Sequence, residues 1–168
     1  MLPEALRPTA IEAFQVSPSQ SIPVPKATPI FQPWQGAPLV ETYGGKVMLE
    51  FGGEPLFAEL VILRHFQQSG WQGVWVDTYR RRTLIGLDIP YEVPHRPRSL
   101  LARISEQAGS PGGCFDVFVW QGELVAFAEA KRSGRDQIRE TQVRWLAAAL
   151  AVGVPLASFL VVEWSLPT

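Results

Sequence analysis

The sequence predicts an α/β domain: a mixed β-sheet core flanked by helices. Three observations carry that expectation. Apolar residues recur at helical spacing over residues 55 to 69 and 136 to 151. Short runs rich in β-branched and aromatic residues lie between and after them, and two of these runs are separated by little more than a Gln-Gly turn. The order helix, strand, helix, hairpin, helix, strand needs parallel and antiparallel neighbours within one sheet.

Residues 1 to 40 come first, with Pro3, Pro8, Pro18, Pro23, Pro25, Pro29, Pro33 and Pro38 among Ser, Gln and Ala. Proline removes backbone donors and fixes φ, so this stretch is expected to be an extended Pro-rich arm rather than a packed element, draped over the domain by Ile30, Phe31 and Trp34. The domain proper is expected over residues 41 to 168. Its first helix, 55 to 69, takes Pro55 in its first turn, repeats Leu56, Leu60 and Leu63 on one face, and stops at Gly70. A strand follows over about 73 to 79. Residues 86 to 99, punctuated by Pro90, Pro94 and Pro97, read as a loop, and "RSLLARISEQAG" as a short helix ending near Ala108. Strands at 115 to 120 and 124 to 131 form the hairpin. A helix from Asp136, as N-cap, to about 151 leads to a last buried strand, "SFLVVEW".

Composition narrows the function classes. In 168 residues, 46% hydrophobic and 18% charged, there is material for one ordinary globular domain, and a net charge of -1 excludes a globally basic nucleic-acid binder, so a polyanion site has to be a local patch. The single cysteine, Cys114, excludes an intramolecular disulfide, and His65 and His95 are too far apart to make a zinc-ligand pair. The start of the chain has no secretory pattern, and the apolar run 146 to 162 is broken by Gly153 and Pro155. A cytoplasmic protein without a membrane partner is expected.

The stretch "FDVFVWQGELVAFAEAK", residues 115 to 131, raises the functional question, because it sets Asp116, Glu129 and Lys131 among residues that should be dry. Side chains alternate along a strand, so Glu129 and Lys131 share a face, and in a hairpin Asp116 lies across from them. Two carboxylates so placed repel unless a cation joins them, and an all-oxygen site without His or Cys favours Mg²⁺ or Mn²⁺. Hydrolysis of a phosphodiester fits that set, with Lys131 orienting the attacking water or stabilising the charge that develops on phosphorus. Taken alone, Glu-x-Lys is as well explained by an ordinary ion pair.

The Gly-rich "GGCFDVFVW", the strand "AFAEAK" and the helix "DQIRETQVRWLAAAL", followed by a Val-rich strand, resemble the PD-(D/E)XK nuclease superfamily, and most of all its VRR-NUC branch. The resemblance covers residues 109 to 164 and extends back towards Gly53, leaving out the Pro-rich arm. Phe115 stands where the family name has Pro, and Ala128 and Ala130 stand where bulkier Val is usual. The resemblance implies a restriction-endonuclease-like fold. It also implies that Asp116, Glu129 and the backbone carbonyl of Ala130 bind the metal, that Lys131 is catalytic, and that Glu59 on the first helix completes the site. A solvated edge glutamate is the plainer account of Glu59, and Asp77 reads as a strand-end residue. Gln142 shares an inward helix face with Ile138, Trp145 and Ala149, where a buried amide has to be hydrogen-bonded; the resemblance gives it contact with the active site. Arg132, Arg135 and Arg139 are expected to bind nucleic acid, and Arg80, Arg81 and Arg82 form a second basic cluster. The expectation is therefore a Mg²⁺- or Mn²⁺-dependent deoxyribonuclease acting on branched, flapped or ended DNA, with a partner protein or a second copy supplying further affinity. The alternatives are a non-catalytic nucleic-acid or protein-binding module on the same fold, and a structural domain whose Glu129–Lys131 pair is merely an ion pair.

Overall fold

A computed structural model describes residues 1–39 and 43–168. The boundary expected between residues 40 and 41 lies outside the described residues. Ten strands are named in chain order. β1 (Ala10–Ser17) and β2 (Gln20–Ala27) are followed by β3 (Leu49–Phe51), β4 (Glu54–Leu56), β5 (Gln72–Asp77), β6 (Arg82–Gly86) and β7 (Ile89–Pro90). β8 (Val117–Gln121), β9 (Leu124–Arg132) and β10 (Phe159–Trp164) complete them, and the helices are α1 (Ala58–Gln68), α2 (His95–Ala108) and α3 (Glu140–Ala151). Eight strands make one mixed sheet in the order β1-β2-β10-β9-β8-β5-β6-β7, with β10 parallel to both β2 and β9 and the other pairs antiparallel. β3 and β4 form a separate two-stranded ribbon.

Alternation along β8 and β9 divides the interior into two layers. Val117, Val119, Ala126 and Ala128 turn towards α1, whose Leu60, Val61, Leu63 and Phe66 are buried against them. Phe118 and Phe127 turn the other way, stacked at 4.5 Å between ring centroids, beneath Trp145 and Leu146 of α3 and Ile104 of α2. Both faces of the central strands are dry, which is why their sequence is nearly continuously apolar.

The structure corrects four local expectations. Of the arm expected over residues 1 to 40, the stretch 10–27 instead belongs to the domain: β1 and β2 are a hairpin that extends the main sheet, and Leu6, Phe14, Val24, Ala27 and Phe31 are buried. The edge strand β1 has no proline; Pro23 and Pro25 lie in β2 on the stretch that pairs with β1 alone, since β10 pairs only with Lys26 and Ala27, so their missing N–H groups break little of the ladder. Pro55 belongs to β4 rather than to α1, because Gly52 and Gly53, at φ 60° and 85°, close a tight β3–β4 turn ahead of it. The loop expected over 86 to 99 contains β7, and α2 begins at His95, with Pro97 in its first turn. Finally α3 begins at Glu140, because Asp136 is engaged otherwise: its Oδ2 accepts the Arg132 N–H at 2.8 Å and closes a turn straight after β9.

Candidate functional site

The hairpin places the site. β8 and β9 pair from Gln121↔Leu124 down to Val117↔Ala128, and there β8 ends while β9 continues to Arg132. The next position across from Glu129 is Asp116, so the two carboxylates occupy facing positions on one side of the sheet. Their bonds interlock: Asp116 Oδ2 accepts the Ala130 N–H at 3.0 Å, and Glu129 Oε2 accepts the Asp116 N–H at 3.3 Å. In a strand the N–H and C=O of one residue leave on the same side, so the Ala130 carbonyl also points to the edge that β8 has left uncovered.

Lys131 projects from the same face as Glu129 and meets it at 2.9 Å with both side chains buried. Gln142 locks the pair from above. Its amide N–H donates to Glu129 Oε1, and its Oε1 accepts from Lys131 Nζ at 3.2 Å and from the Arg139 backbone N–H at 2.9 Å. The last of these is half of a capping box, since Arg139 is the N-cap of α3 and Gln142 its third residue. One amide therefore caps the helix and orients the acid–ammonium pair. Gly113 brings the turn before Asp116 against this helix: at φ 90°, a Cβ there would lie 2.1 Å from the Thr141 carbonyl oxygen.

From the opposite face of the sheet, α1 delivers Glu59 in its first turn. Glu59 is buried rather than solvated, and the Lys46 ammonium is ion-paired to it. Lys46 also lies 5.6 Å from the Trp75 ring centroid. These groups line a cleft of about 560 Å³ at the end of the sheet, which also takes in Arg135, Arg139 and Thr141.

The electrostatics follow from burial. Asp116 is held well above the ordinary carboxylate range by burial, by Glu129 and by Glu59. Burial also raises Glu129, against the lowering influence of Lys131. Lys46 is raised above its ordinary value: burial opposes its charge, and Glu59 more than compensates.

Among the described residues no three His, Cys, Asp or Glu side chains form a cluster that could hold a metal. Glu59 is engaged by Lys46 as Glu129 is by Lys131, and Asp116, Glu129, Glu59 and the Ala130 carbonyl are the candidate donors in the cleft. That oxygen-only set suits a hard divalent ion, and Asp116 Oδ1 has no hydrogen-bond partner among the described residues.

Most of the residues singled out in the sequence come together here: Asp116, Glu129, Ala130, Lys131, Gln142 and Glu59 in the cleft, with Arg135 and Arg139 on its wall. Arg132 does not join them. Strand alternation sends it to the other face, where its guanidinium sits 5.6 Å from the Trp164 ring centroid beside a smaller hollow. Trp145 is fully buried among Phe115, Phe127 and Phe159. Asp77 ends β5, paired with Arg82 at 3.3 Å. Lys46 was missed, and no sequence pattern marks it, because it reaches Glu59 from a turn thirteen positions earlier. Comparison with family models, with curated proteins and with solved structures returns no significant match.

Proposed function

We propose that this protein is a Mg²⁺- or Mn²⁺-dependent nuclease that hydrolyses phosphodiester bonds in DNA, built on a restriction-endonuclease-like variant of its mixed sheet. The observation that carries the reading is the convergence of Asp116, Glu129, Lys131 and Gln142 where β8 ends and β9 runs on. An ordinary surface ion pair does not explain it. A chain gains little by setting a half-buried Asp116 against a buried Glu129 that repels it, and perturbed groups gathered in a cleft are candidates for a functional site.

Asp116, Glu129 and the Ala130 carbonyl would hold the cation. When bound, a divalent ion supplies Lewis-acid stabilisation of the charge that develops at phosphorus and lowers the pKa of water. Lys131 donates hydrogen bonds into the same cleft and is positioned to stabilise a phosphoryl oxygen, while Gln142 and Glu129 fix where its ammonium sits. Arg135 and Arg139 offer positive charge to the flanking phosphates.

A second reading keeps the fold and drops the chemistry. It is favoured by the completeness of the internal bonding: Glu129 is satisfied by Lys131, Gln142 and the Asp116 N–H, and Glu59 by Lys46. The two readings separate on one experiment. Labelled branched, flapped and single-stranded DNA is incubated with and without Mn²⁺, using wild type and Lys131→Met. The nuclease reading expects Mn²⁺-dependent cleavage by wild type and a loss of at least about a hundredfold in the variant. Absence of cleavage across the panel supports the inert module, and equal cleavage by both proteins removes Lys131 from the chemistry.

A further inference from the structure

Beside the catalytic cleft lies a second groove of about 580 Å³, and the two share Thr78 and Cys114 in their walls. The groove differs in character. The cleft is lined almost wholly by charged and polar groups, whereas Val76, Leu101 and Pro111 give the groove apolar walls and Arg81 gives it a cationic margin. Between the shared residue Thr78 and Arg81 runs the turn that joins β5 to β6. At that turn stands Tyr79, 94% exposed, where an aromatic ring of that size gains nothing from packing.

The turn is braced. Asp77 accepts the Arg80 backbone N–H at 3.2 Å through Oδ1 and the Arg82 side chain at 3.3 Å through Oδ2. The Arg80 guanidinium is stacked 4.2 Å from the Tyr43 ring centroid. Two of the three arginines are thus engaged in holding the turn. Arg81 is exposed and has no acidic partner among the described residues. A free guanidinium on the groove's margin, an exposed ring on the adjoining turn and an apolar groove that shares Thr78 and Cys114 with the cleft are the components of a single-strand binding track, in which aromatic faces stack bases and cations follow the backbone.

The geometry points to the β5–β6 turn and its groove as the substrate subsite for an unpaired DNA strand, with Tyr79 stacking an unpaired base and Arg81 contacting a backbone phosphate. The strand passes from this groove across Thr78 into the cleft. This assignment rests on the nuclease reading and adds to it a binding site for the unpaired part of the substrate. Interior paired bases are stacked on both faces and only the terminal pairs of a blunt duplex expose one, so a duplex gains far less from the ring than a single strand does.

The test is binding measured by fluorescence anisotropy in EDTA, so that nothing is cut, with a labelled single strand and a blunt duplex of the same sequence. Wild type, Tyr79→Ala, Tyr79→Phe and Arg81→Ala are compared; both positions are exposed, and melting temperatures check that each variant is folded. The expected result is that Tyr79→Ala weakens single-strand binding about tenfold while Tyr79→Phe retains it. Arg81→Ala lowers the slope of log affinity against log salt by about 0.7. Duplex binding changes less than about twofold in all three. The proposal is overturned if Tyr79→Ala leaves single-strand affinity unchanged, or if it weakens strand and duplex equally. Cleavage followed in parallel with Mn²⁺ keeps the two claims apart. A wild type that binds single strands through Tyr79 without cutting any DNA removes the nuclease reading and leaves this site standing; cutting that is independent of Tyr79, with unaltered strand binding, does the reverse.

Discussion

Asp116 shows what burial does to a single group in this protein. Its carboxyl is shifted upward by desolvation and by the carboxylates of Glu129 and Glu59, while the Ala130 N–H and Lys46 only partly offset that shift. An acid with a higher pKa in the folded than in the unfolded chain binds its proton more tightly when native. The stability it contributes is complete below the unfolded value, about 4, and is lost as pH rises through the folded one. Asp116→Asn is uncharged at every pH and keeps an oxygen for the Ala130 N–H. In EDTA, its melting temperature relative to wild type should therefore climb as pH is raised from about 4 to about 8, and a difference that stays constant over that range would contradict its half-buried placement beside Glu129. Asp116, Glu129 and Lys131 were legible in the sequence because a strand has period two and the hairpin turn is short, so facing positions could be counted. Lys46 could not be counted, since nothing local ties a lysine in a Gly-rich turn to the first turn of α1.

The hairpin, the first helix and the last strand were legible from periodicity, while element boundaries shifted wherever a side chain took over a backbone bond. Asp136 has the chemistry of an N-cap, yet it closes the turn after β9, and α3 starts at Glu140 with Arg139, a residue type with no capping preference, as its N-cap. That delay carries Gln142 to the third position of the helix, where one amide can reach both Arg139 and the acid–ammonium pair. The N-terminal hairpin was hidden by its own composition, because prolines that argue against an interior strand are compatible with β2 where it pairs on one side only. Phe14 tests that element. It is fully buried in β1, 5.8 Å from the ring of Phe115, which in turn packs 5.7 Å from Trp145 beneath the site. Phe14→Ala should cost about 3–5 kcal/mol in denaturant unfolding, the range for truncating a buried aromatic. A loss below about 1 kcal/mol would mean that this segment is the peripheral arm its prolines suggested.

Across the whole molecule, two apolar layers hold a sheet whose central strands are buried on both faces, and the charged groups collect where that sheet runs out. α1 approaches the place from one layer and α3 from the other, so Glu59 and Gln142 arrive at the same cleft from opposite sides. No helix among the described residues is long and apolar enough to cross a membrane. The arrangement concentrates carboxylate oxygens in a low-dielectric corner, where a hard cation is worth far more than at a solvated surface. The most direct measurement is calorimetric titration of Mn²⁺ into wild type and Asp116→Asn at neutral pH without nucleic acid. The account predicts saturable binding to wild type and its loss in the variant; no binding to either protein, or the same isotherm for both, would contradict it.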